Sequence, residues 1–118
     1  MNVIYEKSFH FAIRVVKLYR FMTDSKKEFV LSKQLLRSGT SIGANIAEAE
    51  KAQSSADFYA KMNIALKEAN DTRYWLRLLH ATDYLTDQQF FSMETDTKEI
   101  IALLTAICKK NPIQESSN

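Results

Sequence analysis

Arg37-Ser-Gly-Thr-Ser-Ile-Gly-Ala-Asn-Ile-Ala-Glu-Ala49 is the stretch whose reading decides the fold. It sits inside a helical pattern, yet Gly39, Thr40, Ser41 and Gly43 are all mediocre or poor helix formers. A glycine within a helix costs about 1 kcal/mol relative to alanine, so two of them four residues apart require a structural reason. Gly39, Gly43 and Ala47 fall on one i, i+4 row, a strip nearly free of side chain that lets another helix approach closely. Asn45 lies beside it, and these four residues are expected to serve close helix or subunit packing. Arg37, Ser41, Asn45 and Glu48 make a polar row on an adjoining face.

Working outward, four amphipathic segments appear. The first is expected over about 2–22, where Ile4, Ser8, Phe11, Val15, Leu18 and Met22 alternate spacings of four and three. Ser25 with Glu28 reads as a capping box, which predicts a second helix over about 26–53. Its inward face is Leu31, Leu35, Ser38, Ile42, Ile46 and Ala49. Ser54 or Ser55 can cap a third helix over about 56–82, with Asp57 favouring its positive end. Phe58, Met62, Ala65, Ala69, Thr72, Leu76 and Leu79 form its seam. Thr86 with Gln89 reads as a second capping box, starting a fourth helix over about 87–110. Phe90, Met93, Thr97, Ile100, Leu104 and Ile107 form that seam, and Pro112 ends the pattern. Long helices with short connectors give antiparallel neighbours, so the expected fold is all-α. It is an up-down-up-down four-helix bundle over 1–111, with a disordered tail at 112–118.

The composition supports one core rather than several. With 118 residues, two glycines and one proline, the chain has few turns and must use long elements. Its net charge of +2 is too small to signal a nucleic-acid or membrane partner by itself. The lone Cys108 excludes an intrachain disulfide and sits in an apolar helical pattern, which predicts a core thiol and a cytoplasmic setting. Neither a signal peptide nor a membrane span is expected. Tyr19, Phe21, Phe29, Leu36, Tyr59, Leu66, Tyr74, Trp75, Leu78 and Leu103 lie off the seams. About half are flanking core; the rest predict a second buried face and hence self-association.

The 37–49 stretch, followed by Asp57-Phe58, Ile64-Ala-Leu-Lys-Glu-Ala69 and Tyr74-Trp-Leu76, resembles the bacterial family of the 23S rRNA-intervening-sequence protein. The resemblance spans nearly the whole chain. More distantly, the chain is similar to the accessory variability determinant protein of diversity-generating retroelements. The resemblance implies an up-down bundle that assembles into a ring-like homopentamer and binds RNA or DNA as that assembly.

The chemistry of the chain is sparse. Arg37, Glu48 and Glu68 are expected to build a polar layer between the second and third helices or between subunits. Arg14, Lys17 and Arg20 form a basic edge on the first helix. A ring would repeat that edge into a belt able to contact phosphate without reading bases. No metal site is expected: Glu6 and His10 are four apart, but no second pair matches them and the Glu-x-x-His spacing of di-iron bundles is missing. No cofactor motif is found. The expected function is a non-catalytic, homo-oligomeric assembly or adaptor module that binds structured RNA or DNA. The alternatives are a HEPN-like ribonuclease using Arg73 and His80, or a pure protein-interaction scaffold. In the ribonuclease reading the histidine is the general acid or base and the arginine stabilises phosphate charge.

Overall fold

The computed structural model describes residues 2–112, so all of the expected tail except Pro112 lies outside the described residues. Four helices follow one another: α1 (Val3–Asp24), α2 (Leu31–Glu50), α3 (Ser55–Ala81) and α4 (Asp87–Cys108). Each packs on its neighbour in sequence, and α4 returns to pack on α1, while the diagonal pairs stay apart. The result is an up-down-up-down antiparallel four-helix bundle measuring 47 × 27 × 23 Å.

The seams expected from spacing form the core. Ile4, Phe11, Val15, Met22, Leu35, Ile42, Ile46, Met62, Leu76, Leu79, Ile100 and Leu104 are all buried. Leu18, Leu31, Phe58 and Ile107 are half-buried at the margins, and Cys108 takes the last buried position of α4. Burial pushes its thiol pKa above the ordinary range, as expected of a core cysteine.

The hydroxyls within these seams are satisfied locally or across an interface. Ser38 and Thr72, both buried, form a 2.9 Å hydrogen bond between α2 and α3. Ser8 donates to the Tyr5 carbonyl at 2.7 Å, and Thr97 to the Met93 carbonyl at 2.9 Å. Among the described residues no buried side-chain nitrogen or oxygen lacks a partner.

Helix ends explain where the chain turns. Asn2 caps α1 by accepting from the Ile4 amide at 3.1 Å, and Ser54 caps α3 by accepting from Asp57 at 3.0 Å. Thr86 and Gln89 form the capping box expected for α4. At the end of α3, Asp83 adopts φ 68°, and the Asp83 and Tyr84 amides donate to the His80 and Leu79 carbonyls. That pattern is a Schellman motif with aspartate in the usual glycine position.

The start of α2 corrects the sequence reading. Ser25 does not open a capping box; it closes α1, its amide donating to the Phe21 carbonyl at 2.9 Å. Lys27 then takes φ 55°, which cannot continue a helix, and α2 begins only at Leu31. Glu28 still works as a cap, but from outside the helix. Its carboxylate accepts from the Val30, Leu31 and Ser32 amides at 3.0, 3.0 and 2.7 Å, and its carbonyl accepts from the Ser32 hydroxyl at 2.7 Å. Burial alone would raise the Glu28 pKa, but the hydrogen bonds from Ser32, Leu31 and Val30 outweigh it and hold the carboxyl below its ordinary range.

The two glycines of α2 set the distance to α1. A Cβ built on Gly39 would lie 2.8 and 2.9 Å from the two γ-methyls of Val15, and one on Gly43 would lie 3.1 Å from the Ser8 hydroxyl. Val15 is fully buried and β-branched, so it has little freedom to retreat.

Two predictions follow from this packing and capping. Gly39→Ala should destabilise the fold by about 1–3 kcal/mol in urea unfolding, because overpacking exceeds the gain in helix propensity. Gly43→Ala, whose tightest contact would be the Ser8 hydroxyl with Ser8 Cβ and backbone at ordinary distance, should cost less than Gly39→Ala, and Val15→Ala should cost less in the Gly39→Ala background than alone. Equal effects at both glycines would contradict the close contact with Val15.

Glu28→Ala should cost about 1–2 kcal/mol at neutral pH. A depressed carboxyl stabilises the fold above the ordinary carboxylate pKa, and that contribution fades as pH falls toward the folded value. The stability gap between the wild type and Glu28→Gln should therefore narrow as pH falls through and below the ordinary carboxylate range. A gap independent of pH would show that the ionised carboxylate does not cap α2.

Candidate functional site

The small-residue row of α2 is occupied within the chain. Gly39 and Gly43 face Val15 and Ser8 of α1, so they serve helix packing in the monomer. Ala47 is half-buried, and the Asn45 amide donates to the Ser41 carbonyl one turn back at 2.8 Å. The two glycines therefore present no bare strip for a second copy.

The polar layer is also arranged differently from expectation. Arg37 is exposed, Glu48 approaches Lys61 of α3 at 3.9 Å, and Glu68 lines the α2–α3 groove that Arg37 also borders. Arg37, Glu48 and Glu68 do not join into one network. Ser38 and Thr72 are the polar pair that actually bridges α2 and α3 in the core. Their hydroxyls are short enough to sit inside a helical seam, whereas the three charged side chains keep their solvation at the rim.

Of the basic edge on α1, Arg14 is engaged. Its guanidinium pairs with Asp96 and donates to the Ser92 hydroxyl at 2.6 Å, tying α1 to α4. Lys7 makes a second such tie to Glu99. These bonds lie at the least extensive of the four helix interfaces. Lys17 and Arg20 are exposed and carry no ion pair among the described residues. Sequence spacing brought the three cations onto one edge but gave no sign that the first is neutralised by another helix.

Arg73 and His80 do meet at one place. Both line a groove of about 610 Å³ between α3 and α4, together with Tyr74, Arg77, Phe90 and Glu94. Arg73 Nε donates to Glu94 at 3.2 Å, and Lys98 approaches the other oxygen of the same carboxylate at 3.6 Å. His80 stacks on Phe90, with ring centroids 4.2 Å apart and planes 5° apart, and its Nε2 contacts Asp87 at 2.7 Å. Each residue of the candidate pair thus already has a carboxylate partner. Glu94 is almost fully buried, which its place between Met93 and Thr95 in the sequence did not foretell.

Glu6 and His10 stand 3.9 Å apart on exposed α1. Among the described residues no three His, Cys, Asp or Glu side chains converge as a metal site would require. No described helix is long and apolar enough to cross a membrane.

The apolar surface is more informative. Phe9 and Ile13 of α1 are 51% and 40% exposed, and Phe9 stacks against half-buried Tyr5 at 6.2 Å. With half-buried Val16 they trace a stripe roughly opposite the α1 seam. The off-seam residues do not divide evenly: Phe21, Leu36, Leu66, Trp75 and Leu103 pack against the core, Tyr19, Tyr59 and Leu78 are half-buried, and Phe29 and Tyr74 alone of the ten are exposed.

Comparison with known proteins agrees with this architecture. No curated protein matches the chain. A crystal structure of a protein of unknown function from the S23 ribosomal protein family of Bacteroides thetaiotaomicron VPI-5482 is 59% identical, with a TM-score of 0.90. The match covers 92% of this chain and 100% of that one. The family model for the 23S rRNA-intervening sequence protein matches residues 1–106. The four-helix frame, its glycine-spaced α2 and these matches together establish that the chain belongs to the 23S rRNA-intervening sequence protein family.

Proposed function

We propose that the chain is a non-catalytic, self-assembling helical module that binds structured RNA or DNA through its unpaired surface cations. The observation that carries the assembly is the second apolar stripe of α1, Phe9, Ile13 and Val16, with Tyr5 at its margin packing against the core. A bundle helix needs one apolar face, and α1 spends that face on the core through Ile4, Phe11, Val15 and Met22. Large aromatic and branched side chains on the opposite face gain about 25 cal/mol per Å² when another copy covers them. Because the glycine row is already filled by α1, the stripe rather than the row is the subunit contact in this reading. A closed ring satisfies every copy of such a contact, and five copies is the form that the family resemblance implies.

Assembly also multiplies charge. Lys17 and Arg20 lie on the same outward side of α1, and each added copy brings another pair. Phosphate contacts of this kind give binding that is indifferent to sequence and steeply dependent on salt. The ribonuclease alternative draws on one observation, the shared groove of Arg73 and His80. The carboxylates on both residues favour the non-catalytic reading.

Three outcomes are expected. Phe9→Asp with Ile13→Asp should reduce the particle to the 13.6 kDa monomer in analytical ultracentrifugation while helical circular dichroism is retained. Lys17→Ala with Arg20→Ala should weaken binding to a structured RNA and flatten its salt dependence. His80→Ala should leave any RNA-cleaving activity of the preparation unchanged. An unchanged particle mass in the first variant would remove the stripe as the subunit contact, and loss of a reproducible cleavage activity in the last would establish the ribonuclease.

A further inference from the structure

The outer face of α3 carries a combination that the phosphate-belt reading leaves unused. Tyr74, in the C-terminal third of α3, is 58% exposed, like Phe9 of α1 and Phe91 of α4. It borders the α3–α4 groove and also the α2–α3 groove, whose lining includes Arg37, Glu68 and Asp71. Arg77, one turn along α3, is exposed and has no carboxylate partner among the described residues. Arg73 lies one residue before Tyr74, and the single carboxylate in the α3–α4 groove, Glu94, is shared between Arg73 and Lys98. The local balance around the Tyr74 ring is therefore cationic on the α3–α4 side.

From this juxtaposition we infer that Tyr74 is a stacking platform for an unpaired base of single-stranded nucleic acid, with the unpaired Arg77 taking an adjoining phosphate and Arg73 held in the groove wall by Glu94. The inference rests on the nucleic-acid reading above and narrows it to single-stranded segments at a defined face. Three physical points support it. An exposed aromatic ring beside an unpaired arginine is the pairing that sequence-tolerant single-strand binders use, because every base offers a π-face and every linkage a charge. The groove beside the ring, about 610 Å³, falls in the size range that holds a small organic group such as a base with its sugar. At its far wall His80 stacks on buried Phe90 and contacts Asp87, so the groove already offers an aromatic surface. Duplex nucleic acid keeps its bases stacked on each other and has no face to offer Tyr74. The α1 cations would serve a duplex instead.

The test uses a fluorescein-labelled single-stranded RNA of about 12 nucleotides without self-complementarity, and the same strand annealed to its complement. Both are titrated with full-length protein in about 50 mM salt and followed by anisotropy. Tyr74→Ala and Arg77→Ala should each weaken single-strand binding about tenfold or more, and Tyr74→Phe should retain it. Duplex binding should be insensitive to Tyr74→Ala and fall in the Lys17→Ala/Arg20→Ala variant. Trp75, the only tryptophan, sits edge-on to Tyr74 at 5.1 Å, so its emission should change when single-stranded RNA binds. Thermal melting of each variant checks that the fold is retained, as expected for an exposed side chain.

Each contrary outcome has a distinct meaning. Wild-type protein that binds duplex but not single strand overturns the platform and leaves the wider reading intact. Protein that binds neither overturns both. Single-strand binding unchanged by Tyr74→Ala also overturns the platform. So does a Tyr74→Ala variant whose particle mass drops, because the ring is then a subunit contact.

Discussion

The close approach of α1 and α2 at Gly39 and Val15 governs the rest of the structure. The Gly39 backbone lies so near the Val15 methyls that no side chain fits between them. Glycine at that position costs helix propensity, and the cost is offset by burying Val15 completely against the neighbouring backbone. One turn later Gly43 meets Ser8, whose hydroxyl is satisfied on its own helix, so the contact stays tight without an orphaned polar group. This seam fixes which face of α1 points inward. Phe9, Ile13 and Val16 are left away from it, and this is the face that the proposed assembly would cover.

The interfaces are graded around the bundle. α2 and α3 share the most extensive contact, bolted by the Ser38–Thr72 hydrogen bond, whereas α1 and α4 meet least and are tied by ion pairs at their rim. Such exposed pairs contribute little to stability, so they act mainly to hold register. The consequence for function is that Arg14 is not a free cation, and the electrostatic reading shifts to Lys17, Arg20 and Arg77. Buried Glu94 plays the corresponding part between α3 and α4, drawing Arg73 and Lys98 to one carboxylate.

Most of the fold was legible because bundle helices advertise their inward face. The four-three spacing of apolar residues named nearly every core position, and Thr86 with Gln89 marked the start of α4 correctly. The α1–α2 connection was misread because Ser25-x-x-Glu28 matches a capping box by letter. The deciding quantity there is backbone geometry: Lys27 enters the left-handed region, and Glu28 caps from outside through a buried carboxylate. Glu28 with Ser32 four residues on is the signal that could have found it. The site was less legible than the fold. Gly39 and Gly43 announced a close contact but not whether the partner was α1 or another copy. Arg14 and Arg73 looked like free cations because Asp96 and Glu94, which neutralise them, lie far away in sequence.

The central claim is that a filled glycine seam leaves α1 with a second apolar face that other copies cover. Native mass spectrometry of the unmodified full-length chain at micromolar concentration tests it most directly. The account predicts a single closed assembly whose mass is an integral multiple of 13.6 kDa, five being the multiple that the resemblance implies. A 13.6 kDa monomer persisting across concentration would contradict it.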